Sequence, residues 1–376
     1  MKVLMQGRIN LYSLPGGDTI QLTKTKNELQ GMGINVDLSL KLDPDLSNID
    51  IVHLSNITRV QETYLHVKNA MNYKKPIVLS TIYWPTEETE KVGQSGIRLL
   101  VNRFLSIDDI ERSKAIARFV SDKSSRPLPK KDLFFIGYTQ MQSFVVRNAD
   151  VLLPNSFMEI EQLEKRMPQI AYSKYVIVPN GIDLQAAKKA LDEPERDIFK
   201  KFKNAIICVG RIETRKNQLS LVQALDESGY KVVLVGTVSN SYKNYFSQIK
   251  KYLDKNDKFF HIPRLENDEI YQLYRVCRVS ALPSWCDTPG LVSLEAGAMG
   301  CNLAVSNRGT ATDYFGNEAF YCEPNDLSSI RIAVDLAFKK KNDGALQKKI
   351  FERYTWKKAA IMTLKGYELA LQKHSN

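Results

Sequence analysis

The sequence predicts an α/β protein made of two parallel-sheet domains. Short apolar runs alternate with amphipathic, helix-period segments throughout the chain, and alternating β and α elements give parallel sheets with helices on both faces. A chain of 376 residues is of a length that usually divides in two. The turn Pro179-Asn-Gly-Ile-Asp183, followed by the polar stretch 184–197, separates two such series of elements.

In the first series, strands are expected at residues 2–5, 35–38, 51–54, 77–80, 151–153 and 175–178, each a short apolar run. The amphipathic patterns between them predict helices at 19–32, 61–72, 107–121, 134–148 and 156–166. The second series predicts strands at 205–209, 231–235, 258–262, 279–282, 302–306 and 319–321. Its helices are expected near 218–227, 245–255, 268–276, 291–298 and 327–339. Tyr354-Thr-Trp-Lys-Lys opens a last amphipathic helix over 359–372, and no repeat of twenty to fifty residues is evident.

Composition narrows the class. A content of 43% hydrophobic and 25% charged residues is that of a globular protein. Cys208, Cys277, Cys286, Cys301 and Cys322 show neither metal-ligand spacing nor a disulfide framework, so they read as reduced core residues of a cytoplasmic protein. No signal peptide or membrane-spanning segment is visible.

The net charge of +11 calls for an anionic partner. Ten cations lie between Arg98 and Arg147, among them Arg112, Lys114 and Arg118, against five acids, with Phe104, Phe119, Phe134 and Phe135 interleaved. Such a stretch suits peripheral contact with an anionic membrane face. A solvated helix face over core aromatics fits equally well. No nucleic-acid signature accompanies it.

Two segments carry the chemistry. In Leu282-Pro-Ser-Trp-Cys-Asp-Thr-Pro-Gly-Leu-Val, an apolar strand ends and a helix begins at Gly290. The amides of Gly290, Leu291 and Val292, with the helix dipole behind them, offer an anion site for a diphosphate. Asp287 and Glu295 bracket that helix start and can hold sugar hydroxyls. In Ala205-Ile-Ile-Cys-Val-Gly-Arg-Ile-Glu-Thr-Arg-Lys-Asn217, a buried strand ends in a glycine and three cations follow: Arg211, Arg215 and Lys216. Ligands of open α/β sheets bind beyond the carboxyl ends of strands, and cations there suit phosphate.

Taken in order, these motifs resemble the retaining glycosyltransferases of group 1 (family 4), which have the GT-B fold. The resemblance covers nearly the whole chain. Gly16-Gly17 looks like the family's glycine loop, Asp50-Ile-Val-His53 like its second-strand motif, and Ala149-Asp-Val-Leu-Leu-Pro-Asn-Ser156 like the strand that ends its first sheet. Val178-Pro-Asn-Gly-Ile-Asp183 and the two segments above complete the series.

The resemblance implies two Rossmann-like domains facing across a cleft. Residues 1–183 would form the acceptor-side domain, with the helix 356–376 packing back on it, and residues 184–355 the nucleotide-sugar domain. It implies a nucleotide-sugar donor, with Arg211 and Lys216 on the diphosphate, Glu295 on the ribose and Asp287 near the transferred sugar. Gly290, Leu291 and Val292 would offer amides, Arg264 would contact the base, and Gly16 and Gly17 would approach the phosphates. It implies no cofactor and no metal. The implied acceptor is a saccharide or lipid-linked intermediate of cell-surface polysaccharide synthesis.

Two positions depart from the family pattern. Asp287 stands where a glutamate is usual, and Ser80-Thr-Ile-Tyr-Trp-Pro85 lacks a histidine that is often found there. A transferase with a soluble acceptor, a nucleotide-sugar epimerase and a non-catalytic partner subunit that binds a nucleotide sugar are the competing readings. The retained Arg211, Lys216 and Glu295 favour transfer.

Overall fold

A computed structural model describes residues 1–91, 105–121, 132, 135–170, 173–288 and 290–375. The basic positions Arg98, Arg103, Lys123, Arg126, Lys130 and Lys131, the aromatics Phe104 and Phe134, and Pro289 lie outside the described residues. So do the side chains of Arg118 and Phe119. The chain forms two compact units, one of residues 1–85, 104–180 and 356–376, the other of 86–103 and 181–355.

The first unit is a five-stranded sheet in the order β2-β1-β3-β4-β5. Its strands are β1 (Lys2–Gln6), β2 (Asn35–Ser39), β3 (Ile51–Ser55), β4 (Ile77–Ser80) and β5 (Val151–Leu152), all parallel. β3 and β4 are buried along their whole length, as expected of strands covered on both faces. Residues 175–178 form a single bridge, Tyr175 to Leu152, rather than the expected sixth strand. They still follow the edge, because Val176 N–H donates to Leu152 O at 2.9 Å and Val178 N–H to Pro154 O at 2.9 Å.

The last helix, Trp356–Ser375, packs in this unit against the helix Gly17–Gly31. Gly366 makes the close approach possible, since a Cβ there would sit 2.6 Å from Leu153 Cδ2. Tyr367 reaches the sheet, with its hydroxyl 2.7 Å from His53 Nδ1, while His53 Nε2 lies 2.9 Å from Ser80 Oγ. Burial pushes His53 down to about 3, so it is a neutral packing residue inside β3. Asp150 closes the far end of the helix, 2.9 Å from both Lys373 Nζ and His374 Nε2.

Glu159 ties the loops after β4 and β5 together. Its carboxylate accepts from the Thr81 hydroxyl, from Tyr83 N–H at 2.8 Å and from Asn155 N–H at 2.8 Å. Burial pushes this acid up to about 7 despite those donors.

The second unit has six parallel strands: β6 (Ile206–Val209), β7 (Val232–Val235), β8 (Phe259–Ile262), β9 (Val279–Leu282), β10 (Asn302–Ser306) and β11 (Ala319–Cys322). Their order is β11-β10-β9-β6-β7-β8, which is the doubly wound arrangement with its switch point between β6 and β9. Cys208, Cys277, Cys286, Cys301 and Cys322 are all buried free thiols.

The polar stretch after the boundary turn is not an irregular linker. It contains the helix Leu184–Asp192, and the Asp183 side chain caps it by accepting from Ala186 N–H at 3.0 Å. Its buried face is made by Ala187 and Ala190, residues too small to stand out as an apolar stripe. The helices Ala311–Phe315 and Ala345–Arg353 were likewise absent from the sequence-based expectation.

The shift of Glu159 sets a pH dependence. The folded state keeps a proton on this acid between its ordinary value of 4.5 and about 7, whereas the unfolded state has released it. Stability from this group is therefore full below about 4.5 and falls as pH rises toward 7. Urea unfolding of Glu159→Gln, which stays neutral, should show a shallower loss of stability than the parent over that range. Parallel pH profiles would contradict the assignment.

Candidate functional site

The candidate site of the second unit lies where its strand order reverses, beyond the carboxyl ends of β6 and β9. β6 runs into Gly210 and Arg211, and β9 runs into Pro283 and the loop to Gly290. The backbone is crowded at the exit of β6. Gly236, at φ +154°, passes so close that a Cβ would lie 2.0 Å from Gly210 O.

Hydrogen bonds join the two loops directly. Trp285 N–H donates to Arg215 O at 2.8 Å, and Asn217 Nδ2 donates to Pro283 O at 3.0 Å. Asn217 also donates to Pro324 O at 2.7 Å, and it adopts the left-handed conformation, φ +59°, that starts the helix Gln218–Leu225. The buried Gln218 amide serves the same loop from beneath. Its Nε2 donates to Arg211 O at 2.9 Å, and its Oε1 accepts from Glu213 N–H at 3.4 Å.

Charge completes the joint. Lys216 Nζ donates to both carboxylate oxygens of Asp287, at 2.8 and 2.9 Å. Arg215 forks between Glu213, 2.7 Å away, and the Asp287 loop, where it donates to Cys286 O at 2.7 Å and reaches Asp287 Oδ1 at 3.4 Å. Burial alone would raise the Asp287 carboxyl. The charges of Lys216 and Arg215 overcome that and hold it below its ordinary value.

The Asp287 backbone is held as well. Gly309, at φ +103° on the loop after β10, lies where a Cβ would be 2.0 Å from Asp287 O, and Thr310 N–H donates to that same oxygen at 3.2 Å.

Arg211 is in a different state. Its side chain is 55% exposed, with Glu213 as an ion-pair neighbour at 3.7 Å, whereas that of Lys216 is 12% exposed. Of the two cations expected on a diphosphate, one is open to solvent and the other is already paired.

Gly290 caps the helix Leu291–Ala298 in a left-handed conformation, φ +73°. Ser293 and Leu294 N–H turn back to Gly290 O at 2.8 and 3.3 Å. That leaves the Leu291 and Val292 amides as the ones without an intrahelical acceptor. Glu295 lies one turn into the helix. Its charge reaches Tyr271 and Tyr274 on the helix Asn267–Val276, whose phenols are raised first by burial and then by that charge.

Arg264 follows β8 on the same edge of the sheet, two strands from β6, and is 76% exposed with Glu266 at 3.2 Å.

Gly16 and Gly17 belong to the first unit, at the start of the helix Gly17–Gly31. The loop before them is organised by the buried Arg8. It donates to Asp18 at 2.6 Å, to Asn10 Oδ1 at 2.7 Å and to Leu14 O at 2.6 Å.

Sequence reasoning passed over Arg8, Glu213, Asn217, Gln218 and Gly309. Three of these had a visible signal. Arg8 lies three residues past a predicted strand, and Asn217 and Gln218 stand at a predicted helix start. Gly309 had none, because only the folded chain brings it to Asp287.

Among the described residues, no group of three or more His, Cys, Asp or Glu side chains is placed to hold a metal ion. No described helix is long and apolar enough to cross a membrane. In the basic stretch, Arg112 pairs with Asp109 at 3.2 Å and Lys114 with Glu111 at 2.7 Å.

Comparison with known proteins finds a family likeness over part of the chain. Residues 192–353 match the family model described as glycosyl transferases group 1. An uncharacterized glycosyltransferase of Methanocaldococcus jannaschii is 26% identical over 44% of this chain and 45% of its own. The D-inositol 3-phosphate glycosyltransferase of Mycolicibacterium smegmatis is 26% identical over 47% of this chain and 41% of its own. A glycogen synthase of Mycobacterium tuberculosis is 25% identical over 60% and 56%. The chain thus spans about half the length of these curated relatives.

Among solved structures, sucrose-phosphate synthase from Thermosynechococcus elongatus superposes with a TM-score of 0.66 at 14% identity, covering 100% of this chain and 98% of that one. The Anabaena protein HepE, solved in complex with UDP, gives 0.62 at 14% identity, covering 100% and 99%. The fold is therefore GT-B, with two Rossmann-like parallel-sheet units.

Gly309→Ala should push the Asp287 loop off its seat, since the methyl cannot share space with Asp287 O. We expect a loss of about 1–3 kcal/mol in urea unfolding, with changed fluorescence from the neighbouring Trp285. A parental midpoint and spectrum would mean that the close approach is not maintained.

Proposed function

We propose that this GT-B chain is a retaining glycosyltransferase that moves a sugar from a nucleotide-sugar donor to a saccharide or lipid-linked acceptor. The carrying observation is the convergence of Arg211, Lys216 and the amino end of the helix Leu291–Ala298 at the β6/β9 switch point. A diphosphate seated there would meet backbone amides and cations together, and charge that develops on the leaving diphosphate would be stabilised by groups already in place. The two cations would supply that charge without a metal ion. Glu295, one turn behind the free amides, would take the ribose hydroxyls, and Asp287 would lie nearer the sugar. That HepE was solved with UDP, and that a trehalose-6-phosphate protein of E. coli was solved with UDP-2-fluoro glucose, supports a nucleotide-sugar donor.

Retention by a front-face route, in which the departing phosphate takes the acceptor's proton, needs no protein base. This agrees with a first unit whose buried His53 is held neutral between Tyr367 and Ser80. The net charge of +11 supports a peripheral site of action at the cytoplasmic membrane face, where polysaccharide precursors are assembled.

The donor is tested first by thermal shift against UDP-, GDP-, ADP- and dTDP-sugars. The matching donor at a hundred times its dissociation constant should stabilise the fold by about 2.7 kcal/mol. With that donor, Arg211→Ala and Lys216→Ala should each lower kcat about a hundredfold or more while the variants stay folded, the loss typical of one transition-state donor. Activity of both within threefold of the parent would refute the phosphate assignment.

The membrane acceptor is tested by co-sedimentation with anionic vesicles. Binding should fall steeply as salt rises, and binding indifferent to lipid charge and salt would remove that part of the reading.

A further inference from the structure

The state of Asp287 carries an inference about how the donor enters. Both of its oxygens are engaged by the Lys216 ammonium at 2.8 and 2.9 Å, and Arg215 approaches Oδ1 at 3.4 Å. Its main chain is fixed by Thr310 and by the close passage of Gly309. A diphosphate that needs Lys216 finds it held bidentately by a carboxylate of the same protein.

Resting on the donor reading above, we propose that Asp287 is an internal counter-ion that occupies Lys216 in the free protein and yields it to the donor's diphosphate on binding. Arg211, largely exposed, meets the incoming anion first, and Lys216 changes partners second. The exchange is local. The Lys216 stem lies along Gly210, where a Cβ would be 3.4 to 3.7 Å from Lys216 Cε, Cδ and Cγ. That packing keeps the ammonium at the end of β6 whichever anion it faces. Glu213 holds Arg215 independently at 2.7 Å.

The arrangement has a purpose in specificity. A lone phosphate offers little to offset the loss of a two-point carboxylate contact. A diphosphate, reaching both Arg211 and the helix amides, offers more. The counter-ion thus raises the threshold for small anions. It also places a carboxylate beside the phosphates that would repel them if it stayed charged and unpaired, so removing it should tighten anion binding rather than weaken it.

The probe is inorganic pyrophosphate, measured by calorimetry on the full chain. Asp287→Asn should bind it about tenfold more tightly than the parent, Lys216→Ala should bind it at least tenfold more weakly, and Asp287→Glu should stay within threefold. In donor kinetics, Asp287→Asn should lower KM and kcat together, a split that a merely loosened loop would not give, since loosening raises KM. If Asp287→Asn binds pyrophosphate no better than the parent while Lys216→Ala still loses it, the counter-ion role is overturned and the phosphate site stands. If Lys216→Ala binds as the parent does, the phosphate site itself is wrong.

Should Asp287→Asn not fold, carboxyl carbon NMR of the parent decides the question, with Asp287 assigned through Asp287→Glu. Pyrophosphate should shift the Asp287 signal as Lys216 leaves it, and an unmoved signal at saturation overturns the proposal.

Discussion

The contact on which the second unit's working edge depends is the ion cluster of Lys216, Asp287 and Arg215. In a doubly wound sheet the chain leaves the switch point in opposite directions from neighbouring strands, which opens a crevice. Here the two loops that border it are drawn together by a two-point ammonium–carboxylate contact and by an arginine that spans both. Removing one member of so largely covered a pair leaves the other poorly compensated. Neither loop has its present form without the other. The neutral bonds Trp285 to Arg215 and Asn217 to Pro283 set the spacing at which that charge contact can form.

The same device recurs in the first unit with different chemistry. Arg8 gathers the loop after β1 by reaching Asp18, Asn10 and Leu14. Glu159 gathers the loops after β4 and β5. Loops beyond strand ends carry polar backbone that the sheet cannot satisfy, and one multivalent side chain can serve several such groups at once. Charge is tolerated because the number of partners is high. Glu159 shows the limit of that tolerance: three donors do not fully offset its burial, and its acid is raised.

Most of the fold was legible in the sequence because parallel strands buried on both faces are continuous apolar runs. β4, β6 and β7 are close to such runs, and their order along the chain already implied crossover helices. What was not legible had little hydrophobic signal. The helix Leu184–Asp192 buries only alanines, and residues 175–178 are apolar but reach the sheet through a single bridge. At the site, residue types were readable and pairings were not. Asp287 and Lys216 lie on separate strand-end loops, so their mutual neutralisation is a property of the β6/β9 pairing alone. Gly309 is the extreme case, a glycine whose requirement exists only once Asp287 O lies against it.

The two cations after β6 therefore have different physical histories, although the sequence presents them alike. Arg211 is a guanidinium on the surface, so its field reaches outward and can act on an approaching anion from a distance, subject to screening by salt. Lys216 is mostly buried and already neutralised, so its field is felt only at contact. Ordering these functions by burial explains why an arginine and a lysine stand where they do. Arginine keeps its charge under any local condition and presents a planar fork to phosphate oxygens. Lysine is a compact point charge on a flexible stem, and its ammonium can pass from one oxyanion to another by small rotations. On the proposed reading, a site that first attracts an anion and then holds it would use both, and the Asp287 carboxylate would set which of the two acts second.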